Sequence, residues 1–260
     1  MNKIKEHIAE LDAMKSYPKE LFFSGDIELL KKKKISIVGS RKPTKYSQLM
    51  AKNLALSASK ADICVVSGGA MGIDAISHLG AGSSNTIAVL PCGIDLKYPA
   101  VNKNLLSDIE KNGLLLSQFK EGFKATPYSF VLRNEIVVAL GEVLVVVEAE
   151  LGSGSMRSIE YALKMGKEIY VFPQRLGESG ATNELLKDAK AKVIYDVDEF
   201  LSSVYGVDLS TKNHLKEDDF LEFCKTNPTY DKALQKFPNR IFEAELSGDI
   251  VIKNGMIFLV

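Results

Sequence analysis

The chain has no tryptophan, three cysteines, three histidines and no net charge, its 33 Lys+Arg balancing 33 Asp+Glu over 260 residues. Cys64, Cys92 and Cys224 are odd in number and far apart, which excludes a disulfide framework and a CxxC zinc pair. His7, His78 and His214 share no metal-ligand spacing, so no metal is expected. The most apolar stretch, Ile136 to Val147, is about a dozen residues broken by Gly141 and Glu142, short of the roughly 20 that a membrane span needs. The N-terminus, MNKIKEHIAELD, is charged throughout and lacks the apolar core of a secretory signal. These absences predict a cytoplasmic protein without membrane insertion. Zero net charge also argues against a nucleic-acid binder, which usually shows a basic excess. That objection holds only if the charges are evenly spread.

At 46% hydrophobic and 25% charged residues, the chain can bury a core. From Ile35 onward, short β-branched runs alternate with segments of helical period. The runs are ISIVG (35–39), ICVVSG (63–68), TIAVLP (86–91), LLLSQF (114–119), VLVVVEA (143–149), EIYVFP (168–173) and KVIYD (192–196). Continuous apolar runs suit strands covered on both faces, and the spacing predicts βαβ crossovers. The expected fold is an α/β, extended Rossmann-like, doubly wound, mainly parallel sheet over 35–206. Residues 1–34 read as a lead-in holding an amphipathic helix. Residues 207–260 read as a small C-terminal winged-helix-like domain: three short helical patterns, DDFLEFCKTN, TYDKALQKF and NRIFEAELSGD, then a hairpin whose Asn254-Gly255 fits a type I′ turn.

Three strands run into turns rich in glycine and serine: Gly39-Ser40-Arg41, Ser67-Gly68-Gly69-Ala70-Met71-Gly72, and Glu148-Ala149-Glu150-Leu151-Gly152-Ser153-Gly154-Ser155. In a parallel sheet all three lie beyond the carboxyl ends of strands, where such folds bind ligands. Glycine admits close backbone approach, the following helix offers N–H groups to an anion, and Arg41 adds a fork suited to phosphate. No turn reads GxGxxG with the acidic residue that grips a ribose, and GxxxxGK[ST] is absent, so no nucleotide cofactor is expected. Asp74 and His78, four apart, could share a helical face, and Ser67 has no evident base. Catalysis is not supported by residues, and no catalytic residue is assigned.

Charge is unevenly distributed. From Lys31 to Lys60 there are nine bases (Lys31, Lys32, Lys33, Lys34, Arg41, Lys42, Lys45, Lys52, Lys60) and no acid, flanking the first strand and its turn. A second cluster, residues 119–134, mixes Lys120, Lys124 and Arg133 with Phe119, Phe123, Tyr128 and Phe130. Bases interleaved with aromatics suit single-stranded nucleic acid, cations meeting phosphates and rings stacking on bases.

The order of YPKELFFSGDIELL, ISIVGSRKPTKYS, VVSGGAMGIDAISH, TIAVLPCGIDLKYP, Phe130-Val131-Leu132-Arg133-Asn134 and VVVEAELGSGSMRS resembles the DNA-processing protein A (DprA, also called Smf) family from Tyr17 through Asp196. The resemblance implies a Rossmann-like protein that is not an enzyme. It implies binding of single-stranded DNA without sequence preference, homodimer formation, protection of incoming strands in natural transformation, and loading of RecA recombinase. It places the DNA site at Gly39, Ser40, Arg41, Ser67, Gly68, Gly69, Gly72, Phe130, Arg133 and Asn134, closed by Gly152 and Ser153, with Lys124 standing in for a basic residue expected just before Phe130. Departures are Glu135 where the family has a second arginine, which predicts a weaker cationic edge, and Pro173-Gln174 where it has Pro-Gly. The alternative is a nucleotide-processing enzyme of the phosphoribohydrolase type on a similar sheet. Its PGGxGTxxE segment is replaced here by SGGAMGIDA, without the glutamate. A small-molecule-binding or scaffold protein is a third reading.

Overall fold

The structure, a computed structural model, describes residues 2–209, 219–237, 240–241, 244–245 and 248–259. They form two compact units, 1–207 and 208–260. The first is built on one nine-stranded sheet. Its strands are β1 (Asn2–Lys3), β2 (Phe22–Gly25), β3 (Lys34–Val38), β4 (Cys64–Ser67), β5 (Thr86–Val89), β6 (Leu114–Ser117), β7 (Val143–Val146), β8 (Ile169–Val171) and β9 (Lys192–Val193), in spatial order β1-β2-β6-β5-β4-β3-β7-β8-β9. From β6 to β9 every pairing is parallel, and these are the seven apolar runs of the sequence. Strands β3 to β7 are buried along their whole length, polar Lys34, Ser36, Ser67, Thr86 and Ser117 included, as a sheet covered on both faces requires.

The crossovers are helical: α1 (Lys45–Lys60), α2 (Ile73–Ala81), α3 (Lys103–Asn112), α4 (Pro127–Leu140), α5 (Ser155–Lys164) and α6 (Gly180–Lys187); α7 (Val197–Tyr205) follows the last strand. α4 decides where the site falls. A capping box between Thr126 and Ser129 and a proline at its first turn start it. Its second half, Ile136–Leu140, is buried against β-strand residues including Val38, Val66 and Val89. Because α4 runs antiparallel to the strands, its first turn emerges at their carboxyl ends, with Tyr128 70% exposed.

The N-terminal expectation needs correction. Residues 2–34 contain no amphipathic α-helix. Ala9–Ala13 make one 3-10 turn, while β1 and β2 extend the sheet antiparallel, Phe22 and Phe23 pairing with Ser117 and Leu116. Ile8 and Leu11 enter the main core, but Tyr17-Pro18 follow too soon for a longer helix, and the edge of β6 is otherwise uncovered. Pairing it satisfies backbone groups that a helix would leave open.

In the second unit, α8 (Asp219–Cys224), α9 (Tyr230–Lys236) and the hairpin β10 (Ile250–Lys253) and β11 (Met256–Leu259) enclose a core of Phe220, Cys224, Ala233, Ile250 and Ile257. Asn254 and Gly255 both have positive φ, 50° and 72°, as a type I′ turn demands. The helix expected over 239–249 falls partly on residues outside those described, and His214 lies outside them altogether.

Candidate nucleic-acid interface

The strand order fixes the site. From β3 the chain winds outward through β4, β5 and β6, then returns to lay β7 on the other side of β3. The crevice between the loops after β3 and β7 is therefore the topological switch point, where open α/β sheets bind ligands. A cavity of about 410 Å³ opens there, walled by Gly39, Ser40 and Arg41, by Arg133 and Asn134 of α4, and by Ser153 with the start of α5. Gly154 leaves α5 without a side-chain cap; the N–H groups of Met156 and Arg157 are bonded to Ser153 O (3.1 Å) and Gly154 O (3.2 Å), so what the helix start brings to the cavity is the positive end of its dipole. Ser153 Oγ is buried without a hydrogen-bond partner among the described residues. Two acids line this wall, Asp74 and Glu150; the Glu150 carboxylate is engaged elsewhere, accepting the N–H groups of Ser179 (2.9 Å) and Gly180 (3.1 Å) at the start of α6. Glu148 is likewise occupied, accepting from Thr44 N–H (2.9 Å) and Oγ1 (2.8 Å). Beside the buried Asp74 carboxylate, the cavity is faced by Ser40, Ser153 and the guanidinium groups of Arg41 and Arg133, donors and positive charge suited to phosphate.

A smaller cavity of about 30 Å³ shares Arg41 and Arg133 and adds Phe130, Tyr98 and Met71. Phe130 and Arg133, three apart on α4, project from the same side of the helix. The Arg41 and Arg133 guanidinium carbons lie 5.4 Å and 5.8 Å from the Phe130 ring centroid, and Tyr98 meets that ring edge-on at 5.8 Å. Each cation–π contact holds the ring by about 0.5–2 kcal/mol. Tyr98 and Met71 were not singled out in the sequence. Tyr98 follows the end of β5 by nine residues, beyond any glycine turn, and Met71 resembles ordinary apolar filling. Both lie inside segments that carry the family resemblance, VVSGGAMGIDAISH and TIAVLPCGIDLKYP, and both are exposed, Tyr98 46% and Met71 44%.

Arg133 is 3% exposed and does two jobs. One guanidinium nitrogen donates to the carbonyls of Gly68 and Val89 (the latter 3.0 Å), joining the ends of β4 and β5. Its Nε has no partner among the described residues. Asp74, at the start of α2, accepts the N–H groups of Gly68 (3.1 Å) and Ala70 (3.3 Å). Burial pushes the Asp74 carboxyl up, opposed by the Arg133 charge, and burial lowers Arg133 from its ordinary range. A side chain at Gly68 would run into both the guanidinium and the Asp74 carboxylate, and Gly72, at φ 77°, would place a Cβ 2.7 Å from the Arg41 backbone. These two glycines are required by close approach, which is why the loop can wrap the site. His78 is not paired with Asp74. Its Nδ1 lies 2.7 Å from Thr86 Oγ1.

The structure also corrects the sequence reading. Ser67 is fully buried and donates to Ile37 O at 2.7 Å, so its hydroxyl is unavailable to a ligand. Ser67, Gly69, Gly72, Gly152 and Lys124 line neither cavity. Glu135 does not enter the site either: it is buried and accepts the Lys15 N–H at 2.9 Å. The nine-base run does not form one patch. Lys31 to Lys34 precede or begin β3, at the amino end of the sheet, where Lys31 pairs with Glu28, Lys32 with Asp62 and Lys34 with Glu10, while Lys33 Nζ donates to Tyr205 O. Lys60 closes α1 at that same end. Only Arg41, Lys42 and Lys45 lie near the crevice, exposed and without ion pairs among the described residues. Those residues include no group of three His, Cys, Asp or Glu able to hold a metal, and no helix long and apolar enough to cross a membrane.

The sequence profile of the family described as DNA recombination-mediator protein A matches residues 3–205. Among curated proteins, DNA processing protein DprA of Streptococcus pneumoniae is 31% identical over 189 residues, 71% of this chain and 66% of its own length. That of Bacillus subtilis is 32% identical over 192 residues, 72% and 64% respectively. The chain thus spans about two thirds of the length of these relatives. Among solved structures, DNA processing protein A from Helicobacter pylori, studied for its single-stranded DNA binding mode, superposes with a TM-score of 0.77 at 37% identity, covering 79% of this chain and 95% of that one. The S. pneumoniae DprA structure gives 0.71 at 30% identity, covering 76% and 71%.

Proposed function

The chain belongs to the DNA recombination-mediator protein A family, and on that premise we propose that it binds single-stranded DNA at the switch-point crevice and acts in natural transformation. The observation that carries this reading is the meeting, at one crevice, of a helix start without a side-chain cap, an arginine with no ion pair among the described residues and a partly open aromatic ring. A phosphate enters the larger cavity at the positive end of the α5 dipole, taking the hydroxyl of Ser153 and the guanidinium of Arg41. The adjoining base stacks against Phe130, displacing Arg41 from its resting place over the ring. None of these contacts reads a base edge, so binding is independent of sequence. The relative from H. pylori, with its single-stranded DNA binding mode, supports the same reading.

On this account the protein is not an enzyme. It works in the cytosol without cofactor or metal, protects incoming strands and hands them to RecA recombinase. A homodimer brings two crevices to one strand, raising avidity through effective concentration. The test is an anisotropy titration with oligo-dT and matched duplex for the wild type and Arg41→Ala. Preference for oligo-dT, and a loss of about tenfold or more in the variant, are expected. Equal affinity for the two DNA forms, or an unchanged variant, overturns the reading. Sedimentation tests the dimer, and co-precipitation with RecA in the presence of oligo-dT tests the hand-over. Release of a free base from a nucleoside monophosphate would instead favour the phosphoribohydrolase alternative.

A further inference from the structure

The loop between β6 and α4, residues 118–126, carries a second aromatic surface that neither cavity uses. Phe119 and Phe123 stack with ring centroids 4.4 Å apart and planes inclined by 10°, and Phe123 is 38% exposed. The loop that holds them is fixed at several points. Phe119 N–H donates to Ser117 Oγ (3.0 Å), Gly93 N–H donates to Phe123 O (2.9 Å), and Gly122 N–H donates to both carboxylate oxygens of Asp95 (3.1 Å each). These bonds tie it to the segment that ends in Tyr98, a wall of the smaller cavity.

Charge completes the pattern. Lys120 is engaged by Glu20 at 3.3 Å, whereas Lys124, directly after the exposed ring, is exposed and has no ion pair among the described residues. Phe123 and Phe130 are seven residues apart, at most about 25 Å by chain reach, with Lys124 between them. The order of ring, cation, ring along the chain from Phe123 to Phe130 matches the alternation of base and phosphate in a strand. A protein partner would need a broader apolar patch than two rings provide.

We propose that Phe119, Phe123 and Lys124 form a second single-strand subsite, in which one base stacks on the Phe119–Phe123 pair and the adjoining phosphate meets Lys124. It rests on the single-stranded DNA reading above and extends the path of the strand from the Arg41 cavity across the loop after β6. Glu121, exposed between the two rings in sequence, opposes the strand's charge and limits its affinity.

The test compares oligo-dT of about 4 and about 12 nucleotides, short and long against the footprints typical of such grooves. In the wild type the longer strand binds more tightly. Phe123→Ala with Lys124→Gln is expected to weaken the longer strand by about 5- to 100-fold, leaving the shorter one unchanged. Phe123→Leu, which keeps apolar cover but no ring face, shows the loss that Phe123→Ala shows alone, and Glu121→Gln tightens the longer strand only. An unchanged long strand, equal losses at both lengths, or full binding by Phe123→Leu overturns the subsite while leaving the Arg41 cavity standing. Failure of the wild type to bind either length overturns the underlying reading and the subsite with it.

Discussion

The two ends of the main sheet carry cations in opposite states. At the amino end, Lys34 is 4% exposed and bonds Glu10 together with the carbonyls of Leu30 and Lys32, while Lys31, Lys32 and Lys33 each have a partner. At the carboxyl end, Arg41, Lys42 and Lys45 are exposed and unpaired among the described residues, and the nearby acids Glu148 and Glu150 are spent on Thr44 and the start of α6. The same residue type therefore locks the fold at one end and stays available at the other. Arg133 belongs to neither group: buried like Lys34, yet part of the crevice wall.

That intermediate status gives the largest expected effect. Arg133→Met removes the bonds to Gly68 and Val89 carbonyls and leaves buried Asp74 without its opposing charge, a class of loss worth about 3–5 kcal/mol of folding stability. Urea unfolding measures it, and adding Asp74→Asn recovers part of the loss if the two charges are coupled. Arg41→Ala, the exposed counterpart, changes oligo-dT affinity and leaves the unfolding midpoint within error. A reversal of those two outcomes breaks the contrast between locked and available cations.

His78 tests the amino end by pH. Thr86 Oγ1 donates to Val65 O at 2.8 Å, so the 2.7 Å contact makes His78 Nδ1 the donor and leaves Nε2 as the site of any second proton. Burial, with the Arg133 charge adding, lowers the His78 pKa to about 3. The unfolded chain binds that proton below about 6.5 and the folded chain does not. This contribution to stability is thus complete above pH 6.5 and declines by about 1.4 kcal/mol per pH unit on acidification toward 3. Thermal unfolding between pH 6.5 and 5, above the carboxylate range, should show the decline, and His78→Gln should flatten it.

The parallel sheet was legible because its strands are uninterrupted β-branched runs, and the three ligand-side turns because glycine and serine follow those runs directly. β1 and β2 were not. Asn2–Lys3 and FFSG carry too few residues to show a period, and their strand form is dictated by the open edge of β6. The crevice was legible in Gly39, Ser40 and Arg41, which share one turn. Tyr98 escaped notice because a long loop brings it back to Phe130. The lysine run misled for a geometric reason: a strand of five residues separates Lys34 from Gly39, about 3.3 Å per residue, so neighbours in sequence sit at opposite ends of the sheet.

The smallest effect sharpens the comparison most. If binding at the crevice releases counterions from phosphates, each cation that meets a phosphate contributes about 0.7 to the slope of log affinity against log salt for a single strand. Lys42→Gln and Lys45→Gln should each lower the magnitude of that slope by up to this amount, with a minor loss at low salt. Lys31→Gln, which removes the same formal charge ten residues upstream of Arg41, should leave the slope unchanged because Glu28 already holds that cation at the far end of the sheet. At equal net charge, only position distinguishes these variants. An equal fall in slope for Lys31→Gln and Lys42→Gln would mean that DNA senses the summed charge of the run, and the division between the two ends would lose its functional meaning.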